Sequence, residues 1–299
     1  MEKGVVLVSG ATGFVGSRLV PALLEQGHPV RAMTRHPETY SGPGEPVHGD
    51  VHDPGSLADA VSGADVAVYL VHSLDDADFE RRDAEAARAF GLAAAAAGVR
   101  QIVYLGGLGD EADGLSAHLR SRREVEHLLA EAGVPVTTLR AAIVVGAGGL
   151  SWEITRQLVK NLPAMVVPRW AATRTQPIAI HDVVRYLGGV VGNEEATGRT
   201  FEIGGADQLS YQDMLQQAAE VIHGRHLVIV PVPVLTPRLS SYWISFVTSV
   251  DPTTGRNLID SMSNEVVQRD YTIRALVPGQ PLTYREAVRR AMAETRAAG

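Results

Sequence analysis

The chain of 299 residues is 45% apolar, 20% charged and 5% aromatic, which is the composition of an ordinary globular protein with a sizeable core. Its net charge of -7 includes no basic block, so a nucleic-acid partner, which needs a concentrated positive patch, is not expected. The absence of cysteine excludes disulfides, thiolate metal sites and a cysteine nucleophile.

The chain begins with a short apolar run that leads into a glycine-rich turn. That run is too short for the apolar core of a signal peptide. No other stretch reaches the about 18 uninterrupted apolar residues of a membrane helix. We therefore expect a cytoplasmic protein with no membrane span.

The first half of the chain alternates short apolar segments with longer segments of helical periodicity. This alternation predicts an α/β, Rossmann-type doubly wound fold, a parallel sheet with helices on both faces. Asp53-Pro54 has the pattern of an N-terminal cap followed by a first-turn proline. The predicted strands are Val5–Ser9, Val30–Thr34, Asp65–Val71, Gln101–Gly106 and Val136–Arg140, and the predicted helices are Phe14–Gln26, Pro54–Val61, Ala77–Ala97 and Ser116–Ala132.

The alternation becomes less regular after about residue 145. Capping sequences beginning at Ser210 and Thr283 predict two late helices. We expect residues 1–203 to form the sheet-containing body, with segments of about 150–175 joining a small C-terminal lobe that residues 204–299 supply. The other predicted elements are helices Leu150–Leu162 and Asp182–Gly192, the latter capped by Asp182, and strand Thr200–Ile203.

The most aromatic stretch follows the proline-rich segment Val230–Pro237 and contains Tyr242, Trp243 and Phe246. Three roles are compatible with it: a substrate lid, the contact of a homodimer, or ordinary core.

Gly10, Gly13 and Gly16 have the spacing of a dinucleotide-binding turn between the first predicted strand and helix. In such a turn the first glycine permits the tight bend, the second lets the backbone approach a pyrophosphate, and the third lets the helix pack on the strand. The helix then presents free N–H groups and a partial positive charge to the phosphates. Because the flanking strand and helix are both predicted, the motif indicates a nicotinamide dinucleotide site.

The end of the second predicted strand, Thr34-Arg35, favours NADP(H) over NAD(H). NAD-selective sites have an acidic residue here for the ribose 2′-hydroxyl, whereas NADP-selective sites use an arginine for the 2′-phosphate. Between the start of this strand and Glu38 there is no acidic residue, and Arg35 stands at the expected place. A solvated loop charge is the alternative role of Arg35.

The strand–turn–helix opening resembles that of the extended and atypical short-chain dehydrogenases/reductases, particularly the NmrA-like NAD(P)-binding proteins. The similarity covers about residues 4–203 and is loose beyond them. Further matching segments are Gly49-Asp50-Val51, Tyr104–Gly109, Leu139–Ala142 and Pro177–Asp182.

This resemblance implies which residues bind the cofactor. Asp50 and Val51 would flank the adenine, the residues after the fourth strand would line the cofactor, and Ala142–Val144 would lie beside the nicotinamide. The expected cofactor-binding residues are Gly10, Thr12, Gly13, Phe14, Val15, Gly16, Thr34, Arg35, Asp50, Val51, Val71, His72, Ser73, Gly106, Gly107, Arg122, Ala142, Ile143 and Val144.

The catalytic set of that family is missing. It consists of a serine at the end of the fifth strand and a Tyr-x-x-x-Lys sequence on the next helix, where the lysine lowers the pKa of the proton-transferring tyrosine. None of the eight tyrosines here has a lysine four residues later. In register, Gly106-Gly107 replace the serine, His118 the tyrosine and Arg122 the lysine.

Two catalytic interpretations remain open. In the first, His118 exchanges a proton with the substrate, for which its ordinary pKa of about 6.5 is suited, and Arg122 supplies a fixed cation beside the ribose. In the second, hydride passes from NADPH directly to an electrophilic acceptor such as a quinone, a cationic conjugated system or an enone. The third possibility for His118 is a purely structural role, as a cap of the helix or as a side chain packed on its surface.

We therefore expect an NADP(H)-dependent oxidoreductase for a small organic substrate, bound over Gly107 and His118 beneath the lobe. The alternative is a non-catalytic NAD(P)-binding sensor or assembly protein, a type also found among NmrA-like proteins. The retained basic residue at position 122 and a lobe able to cover the cleft favour the enzyme.

No metal site is expected. The pairs His48/His52 and His223/His226 have acceptable spacings but no matching acidic or cysteine partners in context. The absence of a Gly-x-Ser-x-Gly sequence also removes the commonest signature of a serine hydrolase.

Overall fold

The computed structural model describes residues 3–73, 76, 78–110, 114–162, 164–231 and 261–297. Its strands are β1 (Val6–Ser9), β2 (Val30–Thr34), β3 (Glu45–His48), β4 (Val66–Tyr69), β5 (Gln101–Gly107), β6 (Val136–Ala141), β7 (Val144–Val145), β8 (Ala164–Val167), β9 (Arg174–Thr175), β10 (Ile178–Ala179), β11 (Thr200–Ile203), β12 (Leu209–Ser210) and β13 (Val228–Pro231). Its helices are α1 (Gly16–Glu25), α2 (Pro54–Val61), α3 (Phe79–Ala96), α4 (Ala117–Ala130), α5 (Leu150–Asn161), α6 (Ile180–Val190), α7 (Tyr211–His223), α8 (Ile273–Leu276) and α9 (Tyr284–Ala297).

Seven strands form one parallel sheet in the order β11-β6-β5-β4-β1-β2-β3. In the centre of this sheet, Val6 of β1 pairs with Val30 on one side and Val66 on the other. The strands are short and apolar because helices cover both of their faces, as all-parallel sheets require. The predicted Rossmann-type fold is thereby confirmed.

The two faces of the sheet have separate apolar cores. On one face α1, α6 and α8 pack against side chains such as Val8 and Leu139. On the other, α2, α3 and α4 pack against alternate residues of the same strands, such as Leu7 and Tyr104. This alternation follows from the period of two in a strand, which sends successive side chains to opposite faces.

Helix caps occur where the sequence predicts them in three places and not in a fourth. Asp53 caps α2 by accepting from the N–H of Gly55, and Ser210 and Asp213 form the capping box of α7. The hydroxyl of Thr283 accepts from the N–H of Glu286 in the same way. The predicted cap at Asp182 is wrong.

Helix α6 begins two residues before Asp182, with Ala179 as its N-cap. The Asp182 carboxylate is buried and accepts from the N–H of Leu282 at 2.8 Å, and it also pairs with Arg185 at 2.9 Å. Asp182 therefore joins α6 to the segment before α9, a long-range contact that a local capping pattern does not reveal.

A third apolar core lies beside the sheet, where α5, α7 and α9 pack together around residues such as Trp152, Met214 and Val288. The segment after the undescribed residues returns to the body, since Gln268 N–H donates to Gln176 Oε1 at 3.0 Å. The aromatic residues Tyr242, Trp243 and Phe246 lie outside the described residues. In the part of the chain that the structure describes, no helix has both the length and the apolar character needed to cross a membrane.

Candidate functional site

The glycine turn joins β1 to α1 at the carboxyl edge of the sheet. Gly10 has a φ of +68°, which is accessible to glycine and strained for other residues, and the Gly13 N–H donates to the Gly10 carbonyl at 2.9 Å. A Cβ on Gly16 would lie 2.2 Å from that carbonyl oxygen. The turn is therefore closed so tightly that side chains at its first and third glycines would distort it.

The amino end of α1 faces this turn, and the two N–H groups just before the helix have no hydrogen-bond acceptor among the described residues. Val15 occupies the N-cap position without a capping side chain, and the first turn of the helix has no acidic residue. No backbone hydrogen bond between described residues engages the N–H groups of Phe14 or Val15. These donors and the helix dipole together form a site suited to a phosphate group.

Two clefts meet at the turn, and both are lined by Gly10, Gly13, Leu70 and His72. The first, which we call the β5 cleft, has a volume of about 340 Å³ and lies along the ends of β5 and β6. The second, the β2 cleft, has a volume of about 500 Å³ and lies beyond the ends of β2 and β4. One extended ligand that crosses the turn would reach into both.

Every expected cofactor-binding residue, together with His118, lines one of these clefts. The β5 cleft contains the residues expected near a nicotinamide, and the β2 cleft contains those expected near an adenosine. Besides the shared Gly10, Gly13 and His72, the β5 cleft is lined by Phe14, Val15, Gly16, Gly106, Gly107, His118, Arg122, Ala142, Ile143 and Val144. The β2 cleft is lined by Thr12, Thr34, Arg35, Asp50, Val51, Val71 and Ser73.

Arg35 lies at the open edge of the β2 cleft. Its side chain is exposed, and no hydrogen bond or ion pair joins it to another described residue. Across the cleft, Ser73 Oγ lies 3.3 Å from His52 Nε2, and the Ser73 N–H donates to the buried Asp83 carboxylate at 2.8 Å. The Arg35 guanidinium, which has no partner among the described residues, thus borders a cleft whose opposite wall is fixed by hydrogen bonds.

Arg122 lies at the base of the β5 cleft and is only 9% exposed. Burial lowers the pKa of its guanidinium, but Tyr104 and Asp83 outweigh that effect, and the net result is a raised pKa. The Tyr104 hydroxyl donates to the backbone carbonyl of Arg122 at 3.1 Å. Arg122 is therefore a permanent, fixed cation beneath the cleft.

His118 is half-buried in the wall of the same cleft, one helical turn before Arg122. Burial, together with the neighbouring charges of Arg122 and His72, lowers the pKa of His118 to about 3. The pKa of His72 is also lowered, because its place in the cleft removes the imidazole from water and because the charge of Arg122 is near. The imidazole of His118 is consequently neutral at pH 7, whereas the sequence alone suggested an ordinary pKa near 6.5.

Gly107 stands where the resemblance places the family's serine, and its neighbours leave little space for a side chain there. A Cβ on Gly107 would lie 2.8 Å from a methyl group of Leu119, because α4 packs directly against the end of β5. The N-cap of α4 is Ser116, whose hydroxyl accepts from the N–H of Leu119. His118 is thus not the helix cap, and the cleft floor is formed by backbone and leucine at the place of the family's serine.

Sequence reasoning missed the residues that the lobe contributes to the β5 cleft. Tyr211 begins α7 directly after its predicted cap, but the capping pattern does not show that the first turn of that helix faces the cleft. The other missed wall residues come from segments with no motif. They include Ser151, Ser261, Met262 and Val266.

These features fit a dinucleotide. The glycine turn has no side chains at Gly10 and Gly13, where a pyrophosphate would approach. The free N–H groups face this place, and the two clefts extend on either side. The β2 cleft ends at a guanidinium and the β5 cleft at a second one. Each guanidinium can form charge-assisted hydrogen bonds with a phosphate group of a ligand.

Comparison with known proteins agrees with this geometry. Residues 10–169 match the family described as NAD(P)H-binding. The (4-alkanoyl-5-oxo-2,5-dihydrofuran-3-yl)methyl phosphate reductase of Streptomyces griseus is 32% identical over 235 residues, 75% of each chain.

Two solved structures share the fold. The NADP(H) complex of Citrobacter sp. triphenylmethane reductase has a TM-score of 0.78 at 19% identity, covering 96% of this chain and 99% of that one. The NADPH complex of an NADPH-dependent quinone oxidoreductase from Escherichia coli has a TM-score of 0.76 at 20% identity, with the same coverage. The chain belongs to the NAD(P)H-binding family, in agreement with its resemblance to the NmrA-like, atypical short-chain dehydrogenases/reductases.

Proposed function

We propose that the chain is an NADP(H)-dependent reductase that delivers hydride to a small electrophilic acceptor such as a quinone, an enone or an activated carbonyl compound. The observation that carries this proposal is the largely apolar β5 cleft, which opens beside the phosphate-binding turn and has a fixed cation at its base. Such a cleft, apolar with a few convergent polar groups, is the usual form of a small-molecule site.

The chain's own residues would hold the cofactor along the two clefts. The N–H groups of Phe14 and Val15 would bind the pyrophosphate, Arg35 the 2′-phosphate and Arg122 the nicotinamide ribose. When bound, NADPH supplies a hydride from the C4 position of its nicotinamide. The exposed position of Arg35 and its lack of a partner among described residues support NADP(H) over NAD(H).

Direct hydride transfer is favoured over proton transfer by His118. A group whose pKa is about 3 carries no transferable proton of an imidazolium at neutral pH. An acceptor that is already electrophilic needs no protein acid, and its reduced form can take a proton from water. The lowered pKa of His118 therefore supports the second of the two catalytic interpretations.

The test is stopped-flow measurement of NADPH oxidation with a panel of quinones, enones and simple ketones between pH 6 and pH 8. We expect the conjugated acceptors to accelerate oxidation and the rate of the hydride step to be nearly independent of pH. If NADPH binds and no acceptor accelerates its oxidation, the reductase proposal is wrong. A rate that falls with a pKa near 6.5 would instead restore His118 as the proton donor.

A non-catalytic sensor is the second candidate, favoured by the absence of the family's tyrosine–lysine pair. It predicts that a protein partner binds with an affinity that depends on the ratio of NADP⁺ to NADPH, because linked binding is reciprocal. Pull-downs at high and low ratios test this candidate. Recovery of no partner at either ratio, together with turnover of an acceptor, would eliminate it.

A further inference from the structure

Arg122 is a buried cation whose position the cofactor-binding role does not fully explain. It is nine-tenths buried, and among the described residues no carboxylate lies within ion-pair distance of it. The carboxylate whose charge acts on the pKa of Arg122 is that of Asp83, and it already accepts a hydrogen bond from the Ser73 N–H. Burial of a cation without a close counterion is unfavourable. The buried position of Arg122 therefore indicates that a ligand brings a negative charge to it.

Two imidazoles border the same place. His118 and His72 both line the β5 cleft, and both lie close enough to Arg122 for its charge to lower their pKa values. A neutral imidazole keeps one N–H donor and one acceptor nitrogen. The two rings therefore offer hydrogen bonds to an anion without adding positive charge that would repel Arg122.

The remainder of the cleft wall would strengthen an interaction with an anion. No aspartate or glutamate lines the β5 cleft among the described residues. Much of its wall is formed by apolar side chains, including Leu105, Leu108, Leu119, Ile143 and Val266. In such a poorly solvated site a charge interacts more strongly with fixed donors than it does in water.

We propose that Arg122, His118 and His72 form an anion-stabilising site for the oxygen of the acceptor; this proposal rests on the proposed reductase function. The substrate is accordingly a neutral conjugated carbonyl compound and not a cationic conjugated dye. The acceptor gains the hydride at its conjugated carbon, where a C–H bond forms as the C4–H bond of NADPH breaks and the cofactor is oxidised to NADP⁺. The electron pair of its C=C bond moves towards the carbonyl carbon, and that of the C=O bond moves to oxygen. The resulting oxyanion is held at this site until it takes a proton from water.

A cationic acceptor is neutralised by the same hydride and develops no negative charge. In the β5 cleft it would lie next to Arg122, and the described residues supply no lining carboxylate to offset the repulsion. Arg122 should therefore favour the neutral acceptor in the transition state and disfavour the cation on binding.

The first test compares kcat/KM for menadione, a neutral quinone, and malachite green, a cationic triarylmethane dye. At saturating NADPH we expect the wild type to prefer menadione, and R122M to reduce kcat/KM for menadione about a hundredfold, as loss of one oxyanion donor does, and kcat/KM for malachite green much less. R122K, which keeps the charge, should retain the preference. R120M removes an exposed arginine two residues earlier and should leave both values unchanged. Equal reduction of both acceptors by the wild type, or an unchanged preference in R122M, would overturn the proposal.

A second readout is independent of turnover. 4-Nitrophenol, whose phenolate absorbs visible light, is titrated with the NADP⁺-bound protein over a range of pH. We expect its pKa to fall on binding to the wild type and to R120M, and to stay at the solution value with R122M, for which NADP⁺ affinity is measured in parallel. If neither acceptor oxidises NADPH, the reductase proposal fails, and this titration alone decides whether the anion site exists.

Discussion

At the scale of single residues, Gly16 offers the sharpest test of the phosphate-binding turn. A methyl group at this position would lie 2.2 Å from the Gly10 carbonyl oxygen and 2.8 Å from the Ala11 Cα, so the backbone must move. We expect G16A to lose about 1–3 kcal/mol of unfolding free energy, as overpacked sites do, and more than about tenfold in NADPH affinity. Isothermal titration calorimetry and urea unfolding measure the two effects.

The matched control is G55A in the first turn of α2, where the new methyl group would meet only the Asp53 carboxylate, at 3.3 Å. This variant should bind NADPH like the wild type. Normal binding by G16A would show that the turn does not hold the pyrophosphate.

Arg35 tests the choice of cofactor. Because its guanidinium is exposed and without a partner among the described residues, it can engage a 2′-phosphate without breaking another contact. A hydrogen bond to a charged group is worth about 1.5–3 kcal/mol, so R35A should weaken NADPH binding about ten- to hundredfold. The affinity of R35A for NADH should hardly change. The control is R88A, which removes an exposed arginine paired with Glu131 and should leave the affinities for NADPH and NADH unchanged. Equal losses for NADPH and NADH would contradict recognition of the 2′-phosphate.

His118 should make the protein less stable in acid. Its pKa is about 3 in the folded chain and near 6.5 when unfolded, so between these values the unfolded state binds more protons. This contribution to stability is present above about pH 6.5 and is lost as the pH falls towards 3. In H118N the decline in unfolding free energy between pH 7 and pH 5 should therefore be shallower than in the wild type, as urea titrations would show, while the slopes above pH 7 should coincide. Identical slopes in the acid range would mean that the pKa of His118 is not lowered.

A site residue could be predicted from the sequence when its role follows from the residues close to it in the chain. Gly10, Arg35 and His118 follow strands or occupy motif positions, and the structure brings them to the two clefts. Asp83 and Tyr211 carry no such signal, because each reaches the site only through the packing of its helix against other segments. Their contribution depends on tertiary structure and not on spacing in the chain.

At the scale of elements, the periodic first half was predictable and the lobe was not. Val30–Thr34 and Pro54–Val61 occur with the predicted bounds, since each is a short segment enclosed by turn signals. The two-residue strands β7 and β10 pair with each other across more than one intervening element, and nothing in two residues of sequence marks a strand. Short pairings between distant segments are decided by the folded body and leave no periodic pattern.

The capping box of α7 is the predicted element feature best suited to a stability test. The Ser210 hydroxyl accepts from the Asp213 N–H at 3.1 Å, and the Asp213 carboxylate accepts from the Ser210 N–H at 3.1 Å. We expect S210A to lower the unfolding free energy by about 1 kcal/mol, measured by urea titration. S210N retains a capping oxygen and should lose much less, so equal losses in both variants would argue against the cap.

At the scale of the whole molecule, contacts join residues 204–297 to the segments that precede them. Arg18 of α1 pairs with Glu294 of α9 at 3.0 Å, and His181 pairs with the same carboxylate at 3.1 Å. Val266 packs with Leu108 and Leu119 beneath the β5 cleft. The predicted boundary at residue 203 marks a change of pattern in the sequence, while these contacts cross it in three dimensions.

Because the clefts draw on segments from residue 10 to residue 266, a bound cofactor should stabilise the molecule as one unit. Binding to the native state alone adds RT ln(1 + [L]/Kd) to the unfolding free energy, or about 2.7 kcal/mol at a hundredfold excess over Kd. We expect calorimetry to show a single unfolding transition that NADPH moves upward as a whole, by less in R35A and hardly at all in G16A. If instead two transitions appear and NADPH shifts only one of them, residues 204–299 unfold separately, and the contacts across residue 203 are too weak to couple the lobe to the cofactor site.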